Sequence, residues 1–265
     1  MRSTLLAVSA LAACVAVWSN AVALEAAPGF VGAADLGGRQ FKILSADGKQ
    51  TIGSTSFTVL RHDSTEEIKG ETRYLNGERD SEEIRLHLSG PASTPSLETY
   101  QHSFFNAGGS PLMLDTLDAK SGDASCTSYW SGAMKVRKSR LEVPADSFAG
   151  ASSLMIVGEN LRRGIRQIKF HAFACVPGPE IFGVDTSVPD RPEHWPLYPG
   201  DLIRLDMRPD LGALNLLIAP FMPTMDAWFN PADDWNYVGG EFDRYFRGPH
   251  VLTVQVPPEY HAQQK

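Results

Sequence analysis

Two kinds of side chain crowd the C-terminal third of this 265-residue chain in a pattern that could do chemistry. Ten aromatic residues lie between Trp195 and Phe246, interleaved with Asp226, Asp233, Asp234, Glu241 and Asp243. Flat rings beside acids hold sugars and other amphipathic ligands, because a ring face packs on C–H groups while carboxylates accept hydroxyl donors. On that pattern Trp195, Trp228, Trp235 and Tyr237 are the candidate ligand-binding residues. The plainer reading of the same rings is core packing with polar tips turned outward. A glycosidase or lyase needs two carboxylates facing across a cleft, and Asp226, Glu241 and Asp243, with Asp206 in reserve, are the acids available to test. Acidic β proteins offer such pairs by composition alone, so no catalytic residue is assigned.

Other chemistries lack their signatures. No Gly-x-Ser-x-Gly elbow is present, and His62-Asp63-Ser64 is contiguous, so its side chains do not converge as a triad. The seven histidines form no His-x-His or His-x-x-x-His pair, and each reads as a surface or core residue, including His87, His102 and His171 within expected strands. Asp233-Asp234-Trp235-Asn236 lacks the spacing and glycine of a calcium loop. Gly108-Gly109 and Gly239-Gly240 lack the helix and lysine of a phosphate cradle. The run Lys135–Arg140 reads as an exposed strand face, and the net charge of −7 argues against nucleic acid. Neither a cofactor nor a metal is implied.

Cys126 and Cys175 acquire meaning from the N-terminus. Arg2 precedes an apolar run from Leu5 to Val17, the length of a signal core and too short to span a bilayer, and Ala21-Val22-Ala23 supplies the small residues of a cleavage site. Export with cleavage before Leu24 is expected. Leu11-Ala12-Ala13-Cys14 resembles a lipobox, but the apolar run continues past Cys14, which leaves lipidation as the lesser alternative. Once Cys14 is removed, Cys126 and Cys175 are the remaining pair in an oxidising compartment and are expected to form a disulfide.

The elements that must position these residues are mostly strands. Short alternating segments separated by turns every 8 to 14 residues predict an all-β, mainly antiparallel fold, either a two-sheet sandwich or a partly open barrel with one short helix. Asp47-Gly48 and Asn76-Gly77 read as hairpin turns. Ile84, Leu86 and Leu88 alternate with Arg85, His87 and Ser89, burying one face. Asp146–Arg163 is the expected helix, capped by Asp146 or Ser147. Pro189 to Pro199 holds four prolines and reads as an extended surface connection, and Leu211–Met222 is the most apolar stretch. The expected organisation is a signal peptide at 1–23, an N-terminal extension at 24–40, a single β-rich domain at 41–258 and a flexible tail at 259–265.

The early Asp-Gly hairpin followed by Ile52-Gly53, then Pro220, Pro223, Trp228-Phe229 and a closing strand, resembles uncharacterised exported bacterial proteins of the DUF3108 kind. That resemblance implies a β-rich envelope protein and transfers no catalytic residue. The functional expectation is a periplasmic or extracellular protein without a transmembrane helix in its mature chain. It would bind a lipid-like or glycan-like ligand or an envelope protein partner. A secreted polysaccharide hydrolase or lyase is the alternative.

Overall fold

The computed structural model describes residues 36–89, 94–129, 132–176, 178–210, 225–244 and 248–256. The expected signal segment at 1–23, Cys14, Leu211–Met222 and the expected tail at 259–265 lie outside them. Two mainly antiparallel meanders make up the body. The first runs through β1 (Gln40–Ser45), β2 (Thr51–His62), β3 (Thr65–Tyr74), β4 (Arg79–His87), β5 (Ser96–Phe105), β6 (Pro111–Asp118), β7 (Asp123–Ser128) and β8 (Lys135–Arg140), each paired with the next. The second comprises β9 (Ser147–Phe148), helix α1 (Ala151–Arg162), β10 (Gln167–Cys175), β11 (Pro179–Ser187), β12 (Glu193–His194), β13 (Asp201–Asp210), β14 (Met225–Asn230), β15 (Asn236–Asp243) and β16 (His250–Gln255). β16 returns to pair with β1, which fuses both meanders into one 16-stranded sheet with β8 at one end and β9 at the other.

The hairpins form where the glycines permit them: Gly48 and Gly77 both take positive φ, 71° and 86°. So long a sheet cannot stay flat, because each strand twists against its neighbour. Here it curls until its two ends meet, and the Cys126–Cys175 disulfide joins β7 to β10, the second strand from each end. Of the two architectures expected, the partly open barrel is the one formed. Its concave side is filled: Ile68, Leu86 and Leu117 from the first meander and Ile168, Leu205 and Phe229 from the second enclose Met155, Val157 and Leu161 of α1 in one core. Among the described residues no helix is long and apolar enough to cross a membrane.

Two expectations need correction. The helix begins at Ala151 rather than Asp146, and neither Asp146 nor Ser147 caps it, because Ser147 and Phe148 are buried as β9 beside β10. β14 and β15 escaped the pattern reading because both their faces are covered, so neither alternates. The Lys135–Arg140 strand is exposed throughout, and its cations line the sheet's end strand, where charge discourages further pairing.

Candidate functional site

Register carries four polar side chains into one row on the concave side. Glu82 of β4 stands opposite His102 of β5, His102 opposite Asp115 of β6, and Asp115 opposite Cys126 of β7. Alternation fixes the face: Glu82 lies two residues from Ile84 and four from Leu86, both buried, and Asp80 extends the same file. His102 Nε2 is 2.9 Å from Asp80 Oδ1, while its Nδ1 faces Asp115 Oδ2 at 3.9 Å. The ring of Tyr100 stacks near His102 at 6.5 Å.

Glu82 also caps the helix that fills the barrel. Helix α1 has no side-chain cap of its own, and the Ala151 N–H instead donates to the two Glu82 carboxylate oxygens at 3.1 and 3.3 Å. A carboxylate is favoured at a helix N-terminus. The approach requires glycine at 150: φ is 50°, and a Cβ there would overlap Glu82 Oε1.

These groups hold protons out of their ordinary ranges. Burial pushes the Glu82 carboxyl up to about 7 against the pull of His102 and the Ala151 N–H. Burial would lower His102, but Asp80, Asp115 and Glu82 outweigh it and hold the imidazole well above its usual range. Burial raises Asp115, opposed by His102, and it raises the Tyr100 hydroxyl, reinforced by the surrounding carboxylates. Three acids therefore share one imidazolium and are coupled to the docking of α1.

The four rings nominated for ligand binding do not make one platform. Trp195 and Trp228 stack at 5.2 Å and 5° on the outer face, buried with Leu44, Tyr198, Leu202 and Val254. Gly239 admits the Trp195 ring, because a Cβ there would come within 2.6 Å of it. Arg204 lies 5.9 Å from the Trp228 ring centre and donates to Asp226 at 2.6 Å. Tyr237 faces inward between Phe41 and Phe229, its hydroxyl 2.8 Å from Thr253 Oγ1. Trp235 sits in the turn before β15 at φ 59°, beside Leu154 and Met155 of α1. Phe221, Tyr245 and Phe246 fall outside the described residues.

The three acids proposed for hydrolysis do share a face. Asp226 pairs in register with Glu241, and Asp243 follows two positions along β15. Each has a nitrogen partner, the Arg204 guanidinium for Asp226 and the His250 imidazole for Glu241 and Asp243 at 3.5 and 3.3 Å. A separate open depression of about 500 Å³ crosses the outer face of β3–β7, lined by Glu67, Arg85, Thr99, Gln101, Thr116 and Asp123 among others.

Sequence reading missed the internal cluster. Its signal was there in β4, where Asp80 and Glu82 occupy the phase that Ile84 and Leu86 bury, but the partners on β5 and β6 emerge only from register.

The chain matches no family model and no curated protein. Among solved structures, a β-barrel-like protein of the domain of unknown function DUF1849 from Brucella abortus aligns with 82% of this chain and 95% of its own, at 6% identity and a TM-score of 0.42. The resemblance to DUF3108 proteins gains no support from these comparisons.

Proposed function

We propose that this chain is an exported envelope protein that binds a hydroxyl-rich, glycan-like ligand and does not transform it. The observation that carries the ligand class is the depression across β3–β7, whose walls offer amide, hydroxyl, carboxylate and guanidinium groups on a broad rigid sheet. Sugars are held by many such directional contacts. A lipid-like ligand is less favoured because α1 and its core fill the concave side. Export draws support from the disulfide, which persists in oxidising compartments. The protein would then be periplasmic or extracellular, beginning at Leu24, with acylation at Cys14 as the lesser route.

Calorimetric titration of the purified protein with N-acetylglucosamine oligomers tests the reading. Saturable binding that Arg85→Ala and Gln101→Ala weaken is expected. Binding untouched by both substitutions, or none across envelope oligosaccharides, overturns it. The alternative, a polysaccharide hydrolase or lyase, draws on Asp226 and Glu241 standing opposite each other beside Trp228. It requires polysaccharide cleavage that Glu241→Gln abolishes.

A further inference from the structure

We propose that the reduced protein holds one divalent metal ion of the zinc class between Cys126, Cys175 and Asp115, at the place where the oxidised protein holds its disulfide. Asp115 and Cys126 are direct partners across β6 and β7, and Cys175 arrives from β10 with its Cα 5.8 Å from that of Cys126. Both sulfurs and one Asp115 carboxylate oxygen lie within 4.8 Å of one another. One tetrahedral ion with bonds of about 2.0–2.3 Å needs ligand atoms roughly 3.5–3.8 Å apart, so after reduction the two sulfurs part from bonding distance by side-chain rotation while the carboxylate stays within reach.

The carboxylate points to a cation independently of the sulfurs. Asp115 is only 7% exposed, yet its Oδ1 has no hydrogen-bond partner among the described residues. An unpartnered buried oxygen is costly, and an ion at this spot relieves it. His102 stands behind Asp115, its Nδ1 3.9 Å from Oδ2, and lies outside the three-ligand group, so the fourth position is left to a non-protein ligand. Two thiolates with a carboxylate select zinc-like ions over magnesium or calcium.

The gating is stoichiometric. A dithiol reductant supplies two electrons and two protons, the S–S bond becomes two thiols, and the reductant leaves as its own disulfide. Metal binding then expels both thiol protons and leaves two thiolates on the ion. The disulfide and the ion use the same two sulfurs and exclude each other.

Cobalt(II) titration of the full mature protein, before and after reduction by a phosphine that is then removed, tests the proposal. The reduced protein is expected to take up one equivalent, with thiolate-to-cobalt charge-transfer and tetrahedral visible bands that zinc abolishes. The oxidised protein should show neither band. Asp115→Asn should weaken binding by about tenfold or more, and Cys126→Ser should remove the charge-transfer band. Three results would overturn the site: no band in reduced protein that keeps its β-sheet circular dichroism, equal affinity in Asp115→Asn, or loss of the β-sheet signal on reduction alone.

Discussion

Glu82 ties the stability of the fold to pH. Its carboxyl titrates at about 7 in the folded protein against an ordinary 4.5. Between those values the folded chain keeps a proton that the unfolded chain has released, so stability must fall as pH rises through this window. The full gap corresponds to about 3 kcal/mol, absent below the unfolded value and complete above the folded one. His102 acts with the same sign: its value is raised, so its contribution is complete below 6.5 and is lost as pH climbs through the higher folded value. Glu82→Gln removes the titrating carboxyl while keeping an oxygen that accepts the Ala151 N–H. Urea unfolding of the disulfide-intact protein should show wild type losing about 2–3 kcal/mol between about pH 5 and about pH 8 on account of Glu82, with Glu82→Gln flatter by that amount and the more stable of the two at the upper end. Parallel pH profiles for wild type and variant would refute the raised Glu82 carboxyl.

Gly150→Ala places a Cβ on the Glu82 carboxylate at a positive φ, and should cost about 2 kcal/mol or more in urea unfolding; adding Glu82→Ala should recover part of it. Cys126→Ser opens a tie across 49 residues, worth about 4 kcal/mol in the chain-entropy model, and should lower the melting temperature without changing the far-ultraviolet circular dichroism at room temperature. Trp195→Ala empties the outer cluster and should destabilise by about 3–5 kcal/mol, measured by urea unfolding, while leaving the Glu82 pH profile unchanged because the two sites occupy opposite faces.

Local chemistry carried most of the architecture. Asp47-Gly48 and Asn76-Gly77 announced their hairpins, Ile84 and Leu86 announced the buried phase of β4, and Cys126 with Cys175 announced the staple that holds the sheet's ends together. The cluster was not legible, because Glu82, His102 and Asp115 become neighbours only through two separate registers. β14 and β15 hid for a different reason: the connector bearing Trp195 and Tyr198 covers their outer face, so the two faces stopped differing in polarity. The same burial explains why the aromatic concentration read as a ligand platform, when Trp195 and Trp228 pack outside the barrel and Tyr237 packs inside it.

Mass spectrometry of the protein isolated from its own cells with free thiols trapped tests the central claim, an exported chain whose curled sheet is stapled by a disulfide. The expected species begins at Leu24 and carries no thiol label on Cys126 or Cys175. A chain that retains its leader, with both cysteines labelled, would contradict it.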